Sequence, residues 1–294
     1  MLTRGAHAAD AIDAFRPENH RTSFCTLSRV AVAMNILIDD LDAETADLDR
    51  LLRPEAWEVP TPAEGWTVRD QVVHLAWFDD AAVRAVATPE AFRGEAREAV
   101  AGGVDPELLV AEWRSMPGEK VLKWFREARH RMTRALAAAD PNARVPWYGP
   151  DMGLASFTTA RLMETWAHGQ DVVDGLAAAG LGAVREPTRR LRHVAEIGVR
   201  ARPWSFTVHG RPVPDAPVRV ELTLPDGDLW MAGPEDAADV VRGPALDFCL
   251  VVTQRRHPAD VNLAVSGPVA GEWIGIAQAF AGPPGAGRRP GQFT

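Results

Sequence analysis

Cysteine is nearly absent, Cys25 and Cys249 being the whole complement of a 294-residue chain. Two cysteines so far apart exclude a disulfide framework and a cysteine-rich zinc site, and they suit a reducing, cytoplasmic setting. Long apolar runs are missing too. The stretch from Ser28 to Leu41 is broken by Arg29, Asn35, Asp39 and Asp40, short of the ~18–20 apolar residues needed to span a bilayer. A signal peptide is excluded because Asp10 and Asp13 interrupt the only early apolar stretch, Ala8 to Phe15. There is no excess of basic charge: 32 Lys and Arg stand against 40 Asp and Glu, a formal net charge of -8. Nucleic acid and anionic membrane are therefore poor partners, since neither attracts an acidic surface. Tyrosine occurs once, at Tyr148, and no internal repeat is visible.

What is present is ordinary globular material. Hydrophobic residues make up 46% and charged residues 24%, enough for packed cores, and the length favours two domains. Residues 1–33 have little usable periodicity and read as a disordered extension or as translation from an upstream start codon, because Met34 directly precedes the first amphipathic segment. Residues 34–200 read as a helical bundle. Ile36 to Leu52 carries apolar residues at helical spacings. A second helix opens at Thr67, with Asp70 three residues on in the manner of a capping box. A third follows Pro106 and runs to about Ala139 with a break at Pro117-Gly118, and a fourth covers Ser156 to Leu176. A short helix, Glu186 to Val199, leads out. From 201 to 294 the pattern changes to a small α+β domain. Val218, Val220, Leu222 and Leu224 alternate with polar residues and are followed by the turn Pro225-Asp226-Gly227 and Leu229 to Met231, a hairpin. Ala245 to Thr253 and Val269 to Phe280 read as helices and Val261 to Val265 as a strand. The fold class is thus a four-helix bundle followed by an α+β domain.

Glu164 and His168 lie four apart in the fourth helix, so their side chains share one face a turn apart, a geometry suited to holding a metal ion. His74, on the second helix between Val73 and Leu75, offers a third ligand across the bundle. Asp171 is placed to orient His168 by accepting its other ring N–H. Spacing alone equally allows an ion pair on a helix surface and a core histidine. The apolar neighbours Val72, Val73, Leu75 and Trp77 around His74, and Leu162, Met163 and Trp166 around Glu164, imply buried polar groups that need partners.

Read together, Gly65-Trp66-Thr67-Val68-Arg69-Asp70, His74-Leu75 and Glu164-Thr165-Trp166-Ala167-His168-Gly169-Gln170-Asp171 resemble the DinB-like bundle of the mycothiol-dependent maleylpyruvate isomerase superfamily over roughly residues 37–175. The resemblance implies zinc held by His74, Glu164 and His168. Segments of the second half, among them Pro217-Val218-Arg219-Val220, Asp247-Phe248-Cys249 and Gln254-Arg255-Arg256-His257, resemble the wyosine-base-formation domain of some actinobacterial members, with a sterol-carrier-like layout. Relatives carry a functionally important arginine in their C-terminal domain. Arg255 or Arg256 is the nearest counterpart, structural salt-bridging being the alternative.

Two nitrogens, one carboxylate and an open position suit catalytic zinc and also non-haem iron(II), and the resemblance favours zinc. Zinc ionises a bound thiol or water near neutral pH. The resemblance therefore implies a mycothiol-dependent isomerase or thiol S-transferase acting on a small electrophile, with a low-molecular-weight thiol as cosubstrate. A hydrolase using zinc-bound water and a non-catalytic small-molecule binding protein are the alternatives. Tyr148, in Pro146-Trp147-Tyr148-Gly149-Pro150, either lines the pocket mouth or closes a turn. The ten tryptophans read as packing.

Overall fold

The computed structural model describes residues 24–103, 106–285 and 287–293. The first 23 residues of the expected extension lie outside them. From Phe24 the chain is already helical: α1 spans Phe24–Asp49. Two units follow each other along the chain, meeting between Arg185 and Glu186.

In the first unit α2 spans Val68–Ala87, α3 Pro89–Gly102, α4 Pro106–Ala111, α5 Gly118–Ala138 and α6 Leu154–Ala178. The short strands β1, Arg144–Val145, and β2, Met152–Gly153, pair just before α6. The bundle proper is α1, α2, α5 and α6, each packed on two of the others. Its core includes Leu48, Leu52, Val72, Leu75, Val121, Phe125, Val172 and Leu176, all buried, and each such side chain stabilises the fold by about 1.5–3 kcal/mol relative to exposure. The α2 start is fixed locally, the Thr67 backbone N–H donating to Asp70 Oδ2 at 2.8 Å in a capping box with aspartate in the usual glutamate position. Sequence periodicity passes over α3 because only Phe92 and Ala96 anchor it. The segment expected as one broken helix after Pro106 is two helices, α4 and α5.

One close approach shapes the functional end of the bundle. Gly175 of α6 lies under the chain at Pro60 and Thr61, where a Cβ would stand 2.6 Å from the Pro60 carbonyl oxygen and 3.3 Å from Thr61 Cα. The loop at Pro60–Trp66 folds back on itself there: Thr61 N–H donates to the Trp66 carbonyl at 2.8 Å.

In the second unit α7, Leu191–Arg200, packs on α9, Ala245–Val252, through Leu191, Val194, Ala195 and Gly198. The Gly198 backbone abuts Val252 and Phe248. The sequence assigns this helix to the end of the bundle, but its narrow apolar stripe meets α9. After α8, Arg202–Val208, come β3 (Val218–Thr223), β4 (Leu229–Ala232), β5 (Asp239–Pro244), β6 (Ala264–Ser266) and α10 (Pro268–Ile276). The sheet order is β4-β3-β5-β6. β3 and β4 form the expected hairpin, with Gly227 in its turn at φ 88°, a conformation that side chains resist. β5 pairs parallel to β3. Alternation does not reveal β5, because Gly243 and Pro244 fill its second half. The helix expected to reach Phe280 ends at Ile276, and the strand expected from Val261 is Ala264–Ser266.

Candidate metal centre

α2 and α6 run antiparallel and face each other in successive layers. Gln71 and His168 form the first, His74 and Glu164 the second, and Asp79 and Arg161 the third. In the second layer Glu164 Oε2 lies 3.1 Å from His168 Nε2 and 3.7 Å from His74 Nε2. One ligand atom from each of the three residues falls within 4.8 Å of the others. Zinc bonds of about 2.0–2.2 Å in tetrahedral array place neighbouring ligand atoms ~3.3 Å apart, and the two measured separations bracket that value. The residue types and their spacing fit one small divalent cation.

The electrostatics agree. Burial pushes the His74 imidazole down to about 4, His168 and Arg161 adding to the shift and Glu164 opposing it. Its Nδ1 is buried without a hydrogen-bond partner among the described residues, so the ring is neutral and a competent ligand. Burial alone would raise Glu164, but the imidazoles of His168 and His74 beside it hold its carboxyl well below the ordinary range. A carboxylate and two imidazoles thus converge on one point, the donor set that a small divalent cation would take.

The contact expected of Asp171 is made by another residue. His168 Nδ1 meets Gln71 Oε1 at 2.5 Å. Gln71 lies on α2 three residues before His74, opposite His168, whereas Asp171 is buried further along α6. The i, i+3, i+7 run Gln71, His74, Phe78 on one helix face is the signal in the sequence that points to it.

The third layer also escapes the sequence reading. Asp79 Oδ2 accepts from Arg129 Nε of α5 at 2.7 Å and Oδ1 from Arg161 Nη2 at 3.0 Å. The Asp79 side chain is 0% exposed, Arg129 3% and Arg161 4%. Arg129 Nη1 also donates to Thr45 of α1 and Thr165 of α6, so this clamp touches all four bundle helices.

Aromatic rings surround the triad. Trp66 stacks on His168 at 6.2 Å and lies 5.5 Å from His74, held by its indole N–H donating to Glu107. Phe78 packs on His74 at 4.6 Å. Tyr148 stands one ring further out, 5.7 Å from Phe78 and 6.4 Å from Trp77. Burial raises its phenol to about 12, so it remains protonated across the neutral range. Being the sole tyrosine, it gives an unambiguous test: tyrosinate absorbance should rise near pH 12, and a midpoint at the free value of about 10 would show that the ring is open to water.

Arg255 and Arg256 belong to the second unit, just after α9. Arg255 Nη1 donates to the Thr253 carbonyl at 2.6 Å, Arg256 Nη1 to the Arg255 carbonyl at 2.8 Å, and the Arg256 guanidinium lies over the Phe293 ring at 5.0 Å.

Residues 38–173, which include all three triad members, match the family model described as mycothiol maleylpyruvate isomerase N-terminal domain, and residues 214–265 match wyosine base formation. An uncharacterized protein of Mycobacterium tuberculosis, found in two strains, is 45% identical over 261 residues, covering 85% of this chain and 97% of the relative. A crystal structure of the mycothiol-dependent maleylpyruvate isomerase shares the fold with a TM-score of 0.50 at 18% identity, over 76% of this chain and 90% of that one.

Proposed function

The chain belongs to the family of the mycothiol maleylpyruvate isomerase N-terminal domain, and from that premise we propose that it is a metal-dependent enzyme which adds mycothiol to a small electrophile, as an isomerase or thiol S-transferase. The observation that carries the reading is the convergence of His74, Glu164 and His168 at metal-ligand separations inside the family-matched segment. A divalent ion held there, zinc on the strength of the family resemblance, would supply a lowered thiol pKa and a Lewis acid.

The chain's own residues supply the rest. His74 is kept neutral by burial and Glu164 is kept ionised by its two imidazole partners, so the ligand set needs no proton released at neutral pH from either. Trp66 and Phe78 flank the imidazoles with apolar rings, which keeps water from competing with an entering thiol and strengthens electrostatic interactions inside. Arg161, buried beneath Glu164 and His74, adds positive charge that favours an anionic ligand over a neutral one. Arg255 and Arg256 lie inside the second matched segment, and a guanidinium there would suit a carboxylate, which it grips bidentately. No helix of the described residues is long and apolar enough to cross a membrane.

The test is elemental analysis of the purified protein together with turnover of maleylpyruvate and a panel of small α,β-unsaturated carbonyls, with and without mycothiol. We expect about one zinc per chain and turnover that requires the thiol. Absence of stoichiometric divalent metal, or turnover indifferent to thiol, overturns the reading, and the second result identifies a hydrolase using water.

A further inference from the structure

We infer that Gln71 is a positioning residue that fixes the proton of His168 on Nδ1 and so keeps Nε2 free as a ligand, under the direction of Thr61. The inference rests on the metal-centre reading only for its effect on ion affinity.

Gln71 is fully buried on α2, and both ends of its amide are engaged. Its Nε2 donates to Thr61 Oγ1 at 2.8 Å, and its Oε1 faces His168 Nδ1 at 2.5 Å. An amide can present either end to a neighbour, so something must decide which end meets the imidazole. Thr61 decides it. Its single hydroxyl proton goes to the Trp66 carbonyl at 2.9 Å, a group that can only accept. Toward Gln71 the hydroxyl has lone pairs left and no proton, so it must receive the amide NH2. The carbonyl end is thereby turned to His168. A carbonyl accepts only, so Nδ1 carries the proton. In the neutral ring Nε2 is then bare, and it is Nε2 that lies 3.1 Å from Glu164 Oε2.

Without this chain of hydrogen bonds the cheapest arrangement is the opposite one. The imidazole would place its proton on Nε2 and donate it to Glu164, occupying two ligand atoms with one proton. The run from the Trp66 carbonyl through Thr61 and Gln71 to His168 denies the site that state before any ion arrives. The same loop also carries the Trp66 ring that stacks on His168, so one short segment sets both the tilt and the tautomer of the imidazole.

The experiment uses the full chain labelled with 15N in its histidine rings, with and without zinc, in wild type and in Gln71→Leu, Gln71→Glu and Thr61→Val variants. Zinc affinity is read by competition with a chromophoric chelator. In metal-free wild type a slowly exchanging proton should be found on His168 Nδ1, and it should persist with zinc. Gln71→Leu should lose that signal and bind zinc about 10–100-fold more weakly, the range for removal of a partner that orients a metal-bound histidine. Gln71→Glu, which retains an acceptor, should keep the Nδ1 proton and stay within a few-fold of wild type, whereas Thr61→Val should fall between. A wild-type His168 without a proton on Nδ1, or a Gln71→Leu variant that binds zinc as tightly as wild type, would overturn the assignment. If the wild type binds no zinc, the metal reading fails separately, and the Nδ1 signal in the metal-free wild type and Gln71→Leu proteins still decides the role of Gln71.

Discussion

Replacing His168 with alanine should weaken zinc binding by two orders of magnitude or more and abolish thiol-dependent turnover while leaving the bundle folded. Structural zinc sites bind with about 10–16 kcal/mol over four ligands, or ~3 kcal/mol per ligand, which corresponds to more than a hundredfold in affinity. The variant leaves His74 and Glu164 as a two-ligand remnant. It also strips Gln71 Oε1 of its partner, a buried acceptor whose loss of pairing costs about 1–3 kcal/mol. Helix content should be nearly unchanged, because the side chain contributes to the site and little to the apolar core. Chelator competition and circular dichroism on the same preparation check both halves. Zinc retained within a few-fold of wild type would mean that the ion is held elsewhere.

The largest expected loss of stability belongs to a residue that touches no ligand. Asp79→Ala leaves the guanidinium groups of Arg129 and Arg161 buried and facing each other without their shared carboxylate. Removing one partner of a buried ion pair costs about 3–5 kcal/mol, much of it from the uncompensated charge left behind. The cost should exceed that of Asp80→Ala, whose partner Arg131 is half exposed, as exposed pairs contribute about 1 kcal/mol or less. Urea unfolding of the two variants provides the comparison. Combining Asp79→Leu with Arg129→Met should recover part of the loss, since it removes one of the stranded charges together with the carboxylate. Because Asp79 lies on α2 and Arg161 on α6, one layer from the triad, Asp79→Ala should also loosen the spacing between His74 and Glu164 and lower zinc affinity. Equal stability of Asp79→Ala and Asp80→Ala would show that water reaches the clamp.

How much of this was legible in the sequence follows from how local each feature is. The start of α2 is written in Thr67 and Asp70, three residues apart, and the Glu164–His168 pair in a single helical turn, so both can be read without knowing the fold. His74 needs its apolar neighbours and the family resemblance, since its partners lie on another helix. Spacing puts Gln71 on the face of His74 and says nothing of Thr61: the bond that gives Gln71 its meaning reaches to His168, almost a hundred residues away. Asp79, Arg129 and Arg161 mislead in the other direction. Arg129 sits beside His130 in a charged stretch that reads as solvated surface, and a one-residue change of helix azimuth buries it completely while His130 remains exposed. The parallel pairing of β5 with β3 is likewise a long-range choice that no alternation pattern within β5 records. Asp171 shows the limit of reasoning along one helix: the partner of His168 came from the facing helix, at the height where the two layers meet.

Gly175 offers no atom to the chemistry, yet it has a place in the centre's design. By omitting a methyl group it lets the Pro60–Thr61 backbone settle directly on α6, at the height from which the Thr61 hydroxyl reaches the Gln71 amide. The tautomer of a histidine two helical turns away is therefore tied to the smallest side chain in the alphabet. A search for function that scores positions by reactivity would pass it by, and a redesign that filled the space in the name of helix propensity would retune the candidate site without touching His74, Glu164 or His168.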